Sequence, residues 1–88
     1  SQRAKVGEGC VIYQQVTIGS NDLQNSRGGA PTIGNNCLIG AGAKIIGNVH
    51  VGNNVRIGAN AIVVDDVPDN YTVVMNKPRM IVRENEKT

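Results

Sequence analysis

From Ile33 to Pro68 the chain reads IGNNCL, IGAGAK, IIGNVH, VGNNVR, IGANAI, VVDDVP, six consecutive blocks of six residues. An aliphatic residue opens every block: Ile33, Ile39, Ile45, Val51, Ile57 and Val63. The fifth place is always small or medium and apolar: Cys37, Ala43, Val49, Val55, Ala61 and Val67. A step of six fits neither the 3.6 period of a helix nor the alternation of a half-buried strand. It fits a parallel β-helix, in which each hexapeptide supplies one short strand and one corner. The opening aliphatic and the fifth residue point inward, and Gly or Asn supplies the positive φ that some corners need.

The same frame extends upstream through Val6, Ile12 and Ile18, with Cys10 and Val16 in the fifth places. Ile18 and Ile33 are 15 residues apart, so Ser20–Thr32 (SNDLQNSRGGAPT) reads as a loop extruded from a corner, rich in Asn, Asp, Gly and Pro. With three hexapeptides per turn the coils are Val6–Thr32, Ile33–His50 and Val51–Pro68. Three stacked ladders follow, Val6/Ile33/Val51, Ile12/Ile39/Ile57 and Ile18/Ile45/Val63, all of them β-branched. After Pro68 the pattern lapses into a turn at Asp69-Asn70, a strand over Tyr71–Met75 and a Pro-containing bend at Asn76–Arg79. The coil domain is expected to span residues 1–82, with a charged tail at 83–88.

Composition agrees with this frame. The 88 residues include 12 Val and 9 Ile against 2 Leu, with no Phe or Trp, and Gly and Asn occur 11 times each. Such a chain lacks the straight side chains of a helical bundle and the aromatics that fill a sandwich. A formal charge of +2 without a basic stripe gives no footprint for nucleic acid. No apolar run reaches the roughly 18 to 20 residues of a membrane helix, and no secretory signal opens the chain. Two cysteines are too few for a disulfide scaffold, so the cytoplasm is the expected compartment. Three thin coils make a marginal fold, for which oligomerisation is the expected compensation.

Few residues carry chemistry. Cys10 and Cys37 share a slot on adjacent coils, so they stack at about the spacing of neighbouring strands and are read as reduced, buried residues. His50 is the only histidine and so the only side chain suited to general-base work near neutral pH. It stacks beneath the base of the extruded loop, and a lone His excludes a three-histidine zinc site, so no metal is expected. Gly40-Ala41-Gly42-Ala43-Lys44 and Gly58-Ala59-Asn60-Ala61 form a corner almost free of side chains, where a ligand can lie against the backbone. Lys44, Arg56, Lys77 and Arg79 are the cations available to phosphates.

VIYQQVTIG (Val11–Gly19), PTIGNNCLIGAGAKIIGN (Pro31–Asn48) and IGANAIVVDDVP (Ile57–Pro68) together resemble the bacterial hexapeptide acyltransferases, specifically the serine O-acetyltransferase branch and its relatives in polysaccharide loci. The resemblance runs from Val6 to Val82. It implies a left-handed coil, a homotrimer, and acetyl-CoA lying in the groove between neighbouring subunits. By motif match, Ala41, Gly42 and Ala59 fall where the family's backbone meets the pantetheine, Lys44 stands beside them, and Arg79 of KPRMIV falls near the nucleotide end. The family's catalytic histidine belongs to a His-Ala-Thr-Gly stretch one coil earlier, which places it upstream of Ser1. This leaves the chain without the family base and His50 as a secondary candidate.

Gly29-Ala30-Pro31 replaces the Arg-His-Pro usual in serine acetyltransferases, so a sugar hydroxyl stands beside L-serine as the small-molecule acceptor. Met75–Arg79 likewise departs from the usual Gly-x-Pro-x-Arg. The resulting expectation is an acetyl-CoA-dependent O-acetyltransferase coil, part of a longer protein and poorly active alone. The alternative is a non-catalytic trimeric scaffold.

Overall fold

The computed structural model describes residues 4–20, 29–75 and 80–82. Short strands follow one another along the chain: β1 (Lys5–Val6), β2 (Val11–Ile12), β3 (Thr17–Gly19), β4 (Thr32–Ile33), β5 (Leu38–Ile39), β6 (Lys44–Ile46), β7 (His50–Val51), β8 (Arg56–Ile57), β9 (Ile62–Val63) and β10 (Thr72–Val73). They stack in parallel into three walls, β1-β4-β7, β2-β5-β8-β10 and β3-β6-β9. The architecture is the left-handed parallel β-helix.

Register follows the predicted ladders. Val6 pairs with Ile33 and Ile33 with Val51; Ile12 with Ile39 and Ile39 with Ile57; Ile18 with Ile45 and Ile45 with Val63. The fifth-position residues Cys37, Ala43, Val49, Val55 and Ala61 complete a buried interior in which, among the described residues, no polar or charged side chain is buried. Branched aliphatics suit it because each strand is only two or three residues long and one inward side chain per rung must fill a narrow triangle. The top rung lacks a neighbour above it among the described residues. Val6 and Ile12 are accordingly 41% and 43% exposed, whereas Ile39 and Ile57 below them are fully buried.

Corners are where the chain bends inward on itself, and two of the three corner columns use the left-handed region at every described rung. One column of corners runs Gly9, Asn36, Asn54, Asn70, all at φ between 58° and 72°. The next runs Gln15, Gly42, Asn60 at 62°, 75° and 63°. Asn tolerates this region better than other side chains, which explains its abundance. Asparagines also bind the rungs together. Asn35 Oδ1 accepts from the Glu8 amide, Asn53 Oδ1 from the Asn35 amide and Asp69 Oδ1 from the Asn53 amide, at 2.7–2.8 Å.

Most glycines that follow an opening aliphatic serve another purpose. Gly34 has ordinary φ, but a Cβ there would stand 2.7 Å from the Gly52 carbonyl oxygen, so the residue is required by close stacking of rungs.

The coil boundary after Val63 differs from the expected one. Val67 pairs with Val51, and Val73 pairs with Ile57, each 16 residues on instead of 18. Two residues are dropped at Asp65-Asp66, and Val67 opens a fourth partial coil instead of filling the fifth place of the third. The strand expected over Tyr71–Met75 is confined to Thr72–Val73. Most of the extruded segment (21–28), the bend at 76–79 with Lys77 and Arg79, and the tail 83–88 lie outside the described residues.

Two substitutions separate these contributions. Ile39→Ala should cost about 3 kcal/mol in denaturant unfolding, because it opens a closed cavity between two covering rungs. Gln15→Asn should stabilise by about 0.5 kcal/mol, since Gln15 is the one member of its corner column that is neither Gly nor Asn. A loss below about 1 kcal/mol at Ile39 would contradict the stacked interior.

Candidate functional site

The corner joining the β5 and β6 strands is built from Gly40-Ala41-Gly42-Ala43, closed by the Ala43 amide donating to the Gly40 carbonyl at 3.2 Å. One rung on, Gly58-Ala59-Asn60-Ala61 repeats the turn with the same Ala61-to-Gly58 bond. The rungs are locked in sequence: the Gly42 amide donates to the Gln14 carbonyl at 3.0 Å, and the Asn60 amide to the Ala41 carbonyl at 2.9 Å. The turn leaves the second amide of each corner over. Among the described residues, the Ala41 and Ala59 N–H groups donate to no backbone carbonyl. Two free donors, stacked one rung apart at a corner of Gly and Ala residues, present a polar track on which a carbonyl-bearing chain can lie.

Small residues here are also what stacking demands. A Cβ on Gly40 would stand 2.6 Å from the Ala59 nitrogen, and one on Gly42 would collide with the Asn60 amide oxygen. The packing requirement and the free donors therefore fall at the same corner.

Lys44 leaves this corner on the β6 strand, exposed, with its Nζ 3.4 Å from the Gly42 carbonyl oxygen. Its register partners are Thr17 above and Ile62 below. A shallow cleft of about 280 Å³ begins at Asn60 and Ile62 and is completed by Val74 and Met75. The structure thus brings Ala41, Gly42, Lys44 and Ala59 together on one corner and its adjoining wall, with an apolar cleft beside them. Arg79 lies outside the described residues. Val74 and Met75 were not singled out from the sequence, because their place depends on the fourth partial coil that the repeat frame did not contain.

His50 is elsewhere. It sits on the β1-β4-β7 wall, opposite Thr32 in register as expected, with its side chain 66% exposed. Its Nδ1 stands 3.9 Å from Asp66 Oδ1, and the same carboxylate oxygen accepts from the His50 amide at 2.8 Å. An exposed imidazole on a different wall from the Ala41–Ala59 track does not meet a ligand lying there on the same subunit.

Cys10 and Cys37 are free. Their Sγ atoms each point to the carbonyl of the next rung, Gly34 and Gly52, at 3.2 Å. Cys37 is buried as expected, whereas Cys10, with no rung above it among the described residues, is half-buried. Burial pushes the Cys37 thiol above its usual pKa, and the neighbouring Cys10 adds to the rise against opposing hydrogen bonds from Val55 and Asn54. Among the described residues, no helix is long and apolar enough to cross a membrane, and no three His, Cys, Asp or Glu side chains converge as a metal site.

Comparison with known proteins gives a consistent picture. The family described as bacterial transferase hexapeptide (six repeats) matches residues 30–65. A serine acetyltransferase of Synechococcus elongatus is 48% identical over 82 residues, covering 93% of this chain and 33% of the relative. Among solved structures, serine acetyltransferase isoform 3 of Entamoeba histolytica, in complex with cysteine, superposes with a TM-score of 0.80 at 37% identity, covering 98% of this chain and 31% of that one. The serine acetyltransferase of Brucella abortus in complex with coenzyme A gives 0.63 at 31% identity, covering 90% and 39%. The chain spans about a third of the length of the curated relatives it matches.

Two outcomes test the local account. Gly40→Val should destabilise by about 2–4 kcal/mol, because the Ala59 backbone cannot move away. In alkali the unfolded Cys37 thiol ionises from about pH 8.5 while the folded one still holds its proton, so stability should fall as pH rises above that value. Cys37→Val should remove this part of the alkaline slope in pH-dependent melting. An unchanged slope would show that the thiol is not the group responsible.

Proposed function

The chain is a hexapeptide-repeat coil of the serine acetyltransferase branch, and from that premise we propose that it is the acetyl-CoA-binding part of an O-acetyltransferase acting on L-serine. The observation that carries the proposal is the pair of free amides at Ala41 and Ala59, stacked one rung apart beside Lys44. Pantetheine is a chain of two amides, and a track of backbone donors with no side chains in the way fits its carbonyls. The apolar cleft at Ile62, Val74 and Met75 suits its aliphatic parts. Lys44 offers a cation to the phosphates, and Arg79 is proposed to do so at the nucleotide end.

The reaction is direct transfer. The serine hydroxyl oxygen attacks the thioester carbonyl, a base takes the hydroxyl proton, and the acetyl–sulfur bond breaks to release CoA as its thiol. Backbone donors near the thioester would steady the oxyanion that forms in between. The base is assigned to no residue at this corner. His50 is set aside because it stands on another wall, and the resemblance puts the base in a preceding coil. The similarity to serine acetyltransferases supports L-serine over the sugar hydroxyl that Ala30 had brought into consideration.

A homotrimer completes the proposal. Val11, Leu38, Ile62, Val64, Val74 and Met75 leave apolar surface on the coil walls, which a neighbouring copy would cover. The cytoplasm, where both thiols stay reduced, is the proposed compartment.

Thiol release from acetyl-CoA by the full-length protein, assayed with L-serine and with a panel of sugars, should depend on serine. Lys44→Ala should raise the KM for acetyl-CoA by about fivefold with little change in kcat, the signature of lost ground-state binding. No release with any acceptor, together with no thermal shift on adding CoA, would leave the trimeric scaffold as the better reading.

A further inference from the structure

The seam between the third and fourth coils is stitched by a carboxylate where the earlier seams use backbone. The residue before each opening aliphatic is Lys5, Thr32 or His50. The first two donate their amides to a backbone carbonyl of the next rung, Lys5 to Pro31 at 3.0 Å and Thr32 to Val49 at 2.9 Å. At His50 the coil is two residues short, and no backbone carbonyl accepts the amide; Asp66 Oδ1 does so instead at 2.8 Å. The Val67 amide donates back to the His50 carbonyl at 2.9 Å. His50 Nδ1, at 3.9 Å, is too far from the carboxylate for a hydrogen bond, so the backbone amide is the partner that counts.

Beyond Asp66 a short series of bonds lays the fourth coil on the third. Gly52 donates to the Val67 carbonyl at 2.8 Å, Arg56 to Tyr71 at 3.0 Å and Gly58 to Val73 at 2.8 Å, while the Asn53 amide goes to Asp69 Oδ1 at 2.7 Å. The interior beneath these bonds is thin. The second coil buries Ile33, Cys37, Ile39, Ala43, Ile45 and Val49. Among the described residues of the fourth, only Val67 is buried, Val73 is half-buried and Tyr71, in the fifth place, is exposed. A segment with few bonds and little buried apolar surface opens at lower free energy than the body it lies on, and it opens as one contiguous unit.

We propose that Val67–Met75 is a strap that opens and closes as a unit on the third coil, with Asp66 as its latch. The far end of the strap supplies Val74 and Met75, which complete the cleft begun by Asn60 and Ile62. Opening takes that side of the cleft away. A ligand that touches both sides is held by the closed form, so binding and closure favour each other by the same factor. The latch needs no ligand; its coupling to coenzyme A rests on the proposed function.

Amide hydrogen exchange of the native full-length protein, resolved by NMR, tests both halves. Gly52, Arg56 and Gly58 donate to the strap, and they should exchange together and faster than Leu38 and Gly40, which donate to Val55 and Ile57 of the third coil. Asp66→Ala removes a charge-assisted bond, so the three strap-bound amides should exchange about tenfold faster, with Leu38 and Gly40 unchanged. Asp66→Asn keeps an oxygen acceptor and should stay within about threefold of wild type. Coenzyme A at about 100 times its Kd should slow the same three amides by about 100-fold. Acceleration at Gly52 without Gly58 would reduce Asp66 to a local cap and overturn the proposal. Equal acceleration at Leu38 and Gly40, or Asp66→Asn matching Asp66→Ala, would overturn it as well. If Asp66→Ala does not fold, the order of wild-type rates decides, and strap-bound amides no faster than Leu38 and Gly40 would sink the strap. A wild-type protein that binds no coenzyme A would remove the proposed function and leave the ligand-free exchange pattern to judge the strap, whereas binding that slows none of the three amides would overturn the coupling.

Discussion

Rung-to-rung register is the constraint from which the rest of this molecule follows. Each hydrogen bond between coils, such as Gly34 N to Val51 O at 2.8 Å or Leu38 N to Val55 O at 2.9 Å, places one rung directly over another. A slip of one residue would turn every inward aliphatic to solvent. Register is held twice over, by the interior ladders and by the corner columns. Where the asparagine carboxamides pass the hydrogen bonds Glu8–Asn35–Asn53–Asp69 down one corner, side chains do in the turn what backbone does in the wall. The same constraint dictates where Cβ atoms are forbidden, which is why a chain with so little bulk is nevertheless specific.

The proposed ligand track is a by-product of that economy. Stacking strips side chains from Gly40 and Gly42, and the tight turn uses the third amide of the corner for the preceding coil while leaving the second unpaired. A surface with unpaired donors at a regular rise, bounded by one lysine and an apolar cleft, results without any residue being devoted to it alone. Catalytic chemistry is different. It needs a base in a defined place, and the described coil offers only His50 on the wrong wall.

Much of this was legible in the sequence. The six-residue spacing predicted the six ladder pairs from Val6 to Val63, because a narrow interior takes a branched aliphatic at every sixth position. Ala41, Gly42, Lys44 and Ala59 were legible as a group for the same reason, being small residues in equivalent slots with a cation next to them. Val67 was misplaced because Val satisfies both the fifth and the opening position, so the two-residue deletion at Asp65-Asp66 left no mark in hydrophobicity. Only the pairing of Val67 with Val51 reveals it. The positive φ of Gln15 was likewise hidden, since nothing in the residue type announces it. The part played by Val74 and Met75 followed the misplaced boundary.

The central claim is that the Ala41–Ala59 corner of this coil is where acetyl-CoA lies. Amide-resolved NMR of the isotope-labelled protein during a titration with coenzyme A addresses it directly. The account predicts that the Ala41, Gly42, Lys44 and Ala59 amides shift together and saturably, while those of the Lys5, Thr32 and His50 wall stay in place. Shifts concentrated on that other wall, or none at millimolar coenzyme A, would contradict it.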